Sequence, residues 1–122
     1  MKTILIVEDS ATTRALIRAV IDELGDVETV EAGSGFEALK MLPLQDYDLI
    51  ITDINMPDIN GLELISFVRS NPRYTHLPII IVSTERSEED KRRGMALGAT
   101  GYVTKPFKSG ELQDIVKNTL GL

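Results

Sequence analysis

Several short runs in this chain of 122 residues end in residues that can do chemistry. Ile4–Val7 leads into Glu8-Asp9, Leu49–Ile51 into Thr52-Asp53, Ile79–Val82 into Ser83-Thr84, and the weaker candidate Gly101–Thr104 into Lys105-Pro106. Any one of these could be a strand that simply closes on a polar residue, but together they bring three carboxylates, a hydroxyl pair and a lysine to one rim. Three crowded carboxylates repel one another, and without compensation one of them is driven toward its neutral form. A divalent cation removes that conflict. Oxygen ligands suit a hard ion, and Mg²⁺ takes one or two carboxylates, keeps several waters and shares the rest of its shell with a phosphate. Lys105 adds a mobile point charge able to hold a phosphoryl oxygen, and Ser83 adds a hydroxyl donor. The chemistry that uses all of these groups is phosphoryl transfer to an Asp carboxylate, where positioning and charge neutralisation supply most of the catalysis.

The elements that would position these residues follow from periodicity. The runs at Ile4–Val7, Leu49–Ile51 and Ile79–Val82 are β-branched and do not alternate, as expected for strands buried on both faces of a parallel sheet. Val27–Glu31 and Gly101–Thr104 are weaker strand candidates. Helical patterns lie between and after them, at Ala11–Leu24, Ser34–Leu42, Gly61–Ser70, Ser87–Leu97 and Ser109–Leu120. Ser34 with Glu37 and Ser87 with Asp90 fit capping boxes, while Pro43 and Gly98 stop the helices they follow. In Ser87–Leu97 the acidic residues come first and Arg92 and Arg93 later, which suits the helix dipole. Five strand–helix repeats predict an α/β fold, (βα)5, with helices on both faces of an open parallel sheet. Such sheets bind ligands beyond the carboxyl ends of their strands, where the polar residues fall.

Composition narrows the chemistry further. With 13 basic against 19 acidic residues the net charge is −6 and the pI about 4.7, which opposes direct nucleic-acid binding and contact with an anionic membrane. With no cysteine, disulfides, zinc thiolates and cysteine nucleophiles are excluded, and a reducing compartment fits. The lone histidine, His76, beside Leu77-Pro78, reads as a solvated or packing residue. No segment has the length of a signal peptide core or membrane span. A single domain in the cytoplasm is expected.

The ordered set resembles the receiver domain of two-component response regulators across essentially the whole chain, 1–122. Asp9 and Asp53 stand 44 residues apart, Asp53 and Ser83 30, and Ser83 and Lys105 22, each similar to the family's spacing. The segment from Asp53 through Asn55, Met56 and Pro57 to Gly61 is similar to the family's D-x-x-M-P-x-x-x-G, and Gly101–Phe107 to its lysine–proline loop. The resemblance implies a flavodoxin-like sheet with strand order 2-1-3-4-5. It implies that Asp53 accepts the phosphoryl group and that Glu8, Asp9, Asp53 and the backbone carbonyl of Asn55 surround Mg²⁺. It further implies that Ser83 and Lys105 contact the phosphoryl group, that Ser83, Thr84 and Tyr102 form the switch, and that Lys105-Pro106 is a cis peptide. Such a domain promotes its own Mg²⁺-dependent phosphorylation and dephosphorylation without being a turnover enzyme. Its donor would be a sensor histidine kinase or a phosphotransfer protein. Its output would be a protein target met through the fourth helix, fifth strand and fifth helix, with the chain a monomer or a phosphorylation-dependent dimer.

Three positions vary from the family's commonest residues. Glu8 stands where the family often has Asp, keeping the charge on a longer arm, and Thr84 stands where a small residue such as Ala is usual, adding bulk beside the acceptor. Ser83 is tolerated in the family. Among rival readings, a flavodoxin would place a cofactor phosphate at Ser10-Ala11-Thr12-Thr13, but Glu8 and Asp9 would repel it and no Trp is present to flank a flavin. A haloacid dehalogenase-type hydrolase needs a D-x-D motif that Asp53-Ile54-Asn55 does not meet. A receiver that binds partners without phosphorylation is opposed by the intact site. Because no output domain follows Leu120, the expectation is a stand-alone chemotaxis-type or phosphorelay regulator, with a receiver cut from a longer, for example DNA-binding, regulator as the alternative.

Overall fold

The apolar runs pair side by side as parallel strands. In the computed structural model, which describes residues 1–84 and 88–122, the elements run β1 (Lys2–Val7), α1 (Ala11–Asp22), β2 (Val27–Ala32), α2 (Gly35–Met41), β3 (Leu49–Thr52), α3 (Gly61–Ser70), β4 (Ile79–Ser83), α4 (Glu88–Ala96), β5 (Gly101–Thr104) and α5 (Ser109–Leu120). The sheet order is β2-β1-β3-β4-β5 with every pairing parallel. This is the expected flavodoxin-like arrangement.

Strand side chains alternate between the two faces, so the central strands feed two cores. Leu5, Val7, Ile50, Ile79 and Ile81 pack with Leu42, Leu64, Ile65 and Val68 on the side of α2 and α3. Ile4, Ile6, Ile51, Ile80 and Val82 pack with Ile17, Ile21, Leu112 and Val116 of α1 and α5. Each fully buried aliphatic side chain contributes about 1.5–3 kcal/mol, and β3 and β4 are buried along their whole length. The edge strands are different. β2 is mostly half-exposed and β5 is buried only at Gly101 and Val103, which explains their weaker apolar signal.

Helix ends depart in detail from the sequence reading. α1 stops at Asp22, and Leu24 follows in a turn with its N–H on the Ile21 carbonyl. Pro43 does not immediately follow a helix: α2 ends at Met41 and passes into a 3-10 turn, Leu42–Leu44, that contains the proline, a place where the missing N–H costs nothing. Ser34 caps α2 by accepting the Glu37 N–H at 3.1 Å, whereas the cap expected at Ser87 lies outside the described residues. A full capping box not foreseen sits at α3, where Asn60 accepts from Glu63 N at 2.9 Å and Glu63 accepts from Asn60 N at 3.3 Å. Gly98, at φ +114, follows α4 as expected. Its carbonyl takes two bonds from the Arg69 guanidinium, 3.0 and 2.9 Å long.

The start of α3 is pressed against the site. Gly61 donates its N–H to the Ile54 carbonyl at 2.8 Å, and a Cβ at this position would lie 2.1 Å from the Asp53 carbonyl oxygen. Backbone cannot swing aside as a side-chain end can. Gly61→Ala should therefore cost about 3 kcal/mol or more, read as a lower urea midpoint at an unchanged slope. A midpoint at the parental value would show that the loop relaxes without penalty.

Candidate functional site

The strand order reverses between β1 and β3, and the loops that leave these strands open the crevice where open α/β sheets hold ligands. Three site residues extend the ladder by one step past their strands. Glu8 N donates to Ala32 O at 3.1 Å, Asp53 N to Val7 O at 3.2 Å and Lys105 N to Ser83 O at 2.8 Å. Their backbones are thus as fixed as the sheet itself.

The side chains converge. Lys105 Nζ lies 2.5 Å from Glu8 Oε1 and 3.3 Å from Asp53 Oδ2. Glu8 is only 1% exposed, and its Oε2 accepts the Ser10 N–H at 3.2 Å. Asp53 Oδ1 accepts the Ile54 N–H at 2.7 Å. One carboxylate oxygen each from Glu8, Asp9 and Asp53 lies within 4.8 Å of the others, with Asp9 the exposed member. Burial pushes the Glu8 carboxyl up from its ordinary value. The Lys105 ammonium and the Ser10 amide pull it back, and the neighbouring Asp53 charge pushes it further up. The donor set fits a divalent metal: it is all oxygen, crowded, negatively charged and open to water on the Asp9 side.

The remaining expected residues fall around this centre. Ser83 is fully buried at the end of β4, paired in register with Thr104, while Thr84 after it is exposed. Asn55 is exposed in the β3–α3 loop. Tyr102 is half-buried on β5 and packs against the core on the α2–α3 side. Lys105-Pro106 is cis, as the resemblance implied. Ser10 caps α1 by accepting the Thr13 N–H at 3.3 Å. His76 is exposed and helps line a cleft of about 310 Å³, with Asp46, Tyr47 and Arg73, at the amino ends of β3 and β4, far from the carboxylates.

Sequence reasoning missed Asp58. Its carboxylate accepts the N–H groups of Phe36 at 2.9 Å and Gly35 at 3.3 Å, tying the β3–α3 loop to the start of α2. It occupies an unspecified place in the Asp53–Gly61 motif, and its partners lie 22 and 23 residues earlier in the chain. No local pattern announces that contact.

The sequence profile of the response regulator receiver domain matches residues 4–117. The chain belongs to this family. A chemotaxis protein CheY homolog of Campylobacter jejuni is 37% identical over 119 residues, 97% of this chain and 92% of that one. The solved structure of the chemotaxis protein CheY4 of Vibrio cholerae superposes with a TM-score of 0.91 at 36% identity, covering 98% of this chain and 99% of that one. The signal receiver domain of a histidine kinase from Syntrophus aciditrophicus gives 0.91 at 33% identity, covering 99% of this chain and 91% of that one. Among the described residues of this receiver domain no helix is long and apolar enough to cross a membrane.

The Asp58 clamp has a pH signature. The hydrogen bond donated by the Phe36 backbone N–H, with weaker ones from Ile59 and Gly35, holds its carboxyl down at about 2 against an ordinary 3.8. A depressed acid stabilises the fold above its unfolded value, and that contribution disappears as pH falls from about 4 through about 2. Carbon-13 NMR of the side-chain carboxyl should give a midpoint near 2. Asp58→Asn should flatten the stability curve over that window, and an unchanged curve would show that the clamp does not persist in solution.

Proposed function

We propose that this receiver domain, residues 1–122, is a phosphoacceptor whose Asp53 takes a phosphoryl group from a phosphohistidine on a sensor histidine kinase or phosphotransfer protein. The observation that carries the reading is the Lys105 ammonium held between Glu8 and Asp53 inside a three-carboxylate cluster. The carboxylates of Glu8, Asp9 and Asp53 and the backbone carbonyl of Asn55 would hold Mg²⁺. When bound, Mg²⁺ neutralises charge on the cluster and on the phosphoryl oxygens.

The chain's own groups do the rest. An Asp53 carboxylate oxygen attacks phosphorus as the P–N bond of the donor breaks and its electron pair returns to the imidazole nitrogen. Lys105, already 3.3 Å from Asp53 Oδ2, follows the charge from the carboxylate to a phosphoryl oxygen. Ser83 donates its hydroxyl to another, a bond that exists only in the modified state and so draws the loop after β4 inward. Tyr102 answers by exchanging its half-exposed rotamer for an inward one, which alters the α4–β5–α5 face that a target protein meets. Thr84 limits the water that hydrolyses the acyl phosphate in line. The acyl phosphate is a stored signal, so the chain acts as a switch rather than a turnover enzyme.

Relatives named as chemotaxis proteins, matched over nearly their whole length, support a stand-alone chemotaxis-type regulator. The net charge of −6 supports one that works in the cytoplasm and binds neither nucleic acid nor membrane directly. On this reading the chain is monomeric or dimerises on phosphorylation. The likeness to a receiver within a histidine kinase favours a second reading, in which the same chemistry serves a larger protein.

Acetyl phosphate with Mg²⁺ should label the chain with an acid-stable, base-labile phosphate. The label should vanish without the metal and fall to background in Asp53→Asn, and labelling of that variant at the parental level would overturn the assignment. Thr84→Ala should form the phosphorylated species normally and lose it several times faster. Unchanged decay would show that the threonine points away from the attacking water.

A further inference from the structure

One side chain reaches the cluster from outside it. β2 ends at Ala32, opposite Val7, so Glu8 lies one step beyond the paired strands. Its N–H still finds the Ala32 carbonyl. In a parallel ladder the carbonyl of the same residue faces the same neighbour and needs an N–H from it. Arg14 of α1 supplies that donor, with Nη1 2.7 Å from Glu8 O.

The guanidinium is itself held. Arg14 Nε donates to Glu31 Oε1 of β2 at 3.1 Å, and Arg18 Nη1 donates to the other oxygen of Glu31 at 2.6 Å. Fixing Nε on a strand side chain and Nη1 on a loop carbonyl uses the planar fork of arginine, which a lysine cannot reproduce. The side chains of Arg14 and Glu31 are 22% and 29% exposed, so the pair is half-buried and its bond orients the guanidinium. Its consequence is geometric. Turning the peptide after Glu8 would swing the Asp9 carboxylate, the exposed member of the cluster, away from Asp53.

We propose that Arg14 is a positioning residue for the divalent cation, clamping the Glu8 carbonyl so that Glu8 and Asp9 keep their oxygens within reach of Asp53, with Glu31 holding Arg14 to that task. The inference rests on reading the cluster as a Mg²⁺ site. Charge and geometry make opposite demands here. As a charge alone, Arg14 repels a dication, and its removal should tighten Mg²⁺. As a clamp, its removal should loosen Mg²⁺, and Lys should fail to replace it.

The test is a calorimetric Mg²⁺ titration of the full chain as parent, Arg14→Ala, Arg14→Lys and Glu31→Gln, beside acetyl phosphate labelling rates across Mg²⁺ concentrations. The dissociation constant should rise about tenfold in Arg14→Ala, by a similar factor in Arg14→Lys and by less in Glu31→Gln. The half-saturating Mg²⁺ concentration for labelling should rise in step while the plateau rate holds. Parental or tighter affinity in Arg14→Ala, full recovery in Arg14→Lys, or a lowered plateau at unchanged half-saturation would each overturn the proposal. A parent chain that takes up no Mg²⁺ would overturn the reading of the cluster and this inference together, a failure visible before any substitution is compared.

Discussion

The Lys105 ammonium between the Glu8 and Asp53 carboxylates is the interaction on which the rest of the structure depends. A carboxylate as buried as Glu8 is costly unless paired and hydrogen-bonded, and here the ammonium and the Ser10 amide provide for it. Lys105 lies 97 positions from Glu8 in the chain, and only a sheet that sets β1, β3, β4 and β5 side by side brings its backbone to the same rim. With Asp9 included, three carboxylates face one lysine, which leaves the cluster negative and suited to a dication.

Around that pair the frame is rigid where the site needs rigidity. Gly61 lets α3 start directly against the Asp53 carbonyl, Asp58 pins the intervening loop to α2, and Arg14 completes the ladder beside Glu8. Each contact fixes backbone rather than a side chain, so the aim of the carboxylates is set before any ligand arrives. α4 is built otherwise. It contributes one buried residue, Gly94, whereas α3 contributes five. Few buried contacts make an element inexpensive to displace.

Much of the fold was legible because buried parallel strands leave an unmistakable trace. Ile4–Val7, Leu49–Ile51 and Ile79–Val82 are apolar throughout since both faces of the central sheet are covered. β2 and β5 were fainter, because an edge strand keeps polar residues such as Glu28 and Glu31. Helix boundaries moved by a residue or two where local chemistry allowed a second solution, as at Pro43, which a 3-10 turn accommodates. The Asn60–Glu63 box went unnoticed because Asn60-Gly61 reads equally well as a turn.

The sequence by itself determined the strand–helix alternation, and from it which residues must stand at the carboxyl ends of the strands. Periodicity and spacing are local properties, and Glu8, Asp9, Asp53, Ser83 and Lys105 each stand at or just past the end of a strand candidate. Tertiary structure alone decided the partners: that one ammonium is shared by Glu8 and Asp53, that Asp58 reaches back to Phe36, and that Arg14 serves the Glu8 carbonyl where β2 runs out. Those bonds join residues by the direction of loops and the length at which an edge strand stops. Such features are fixed by packing of the whole sheet against its helices, and no short window of sequence encodes them.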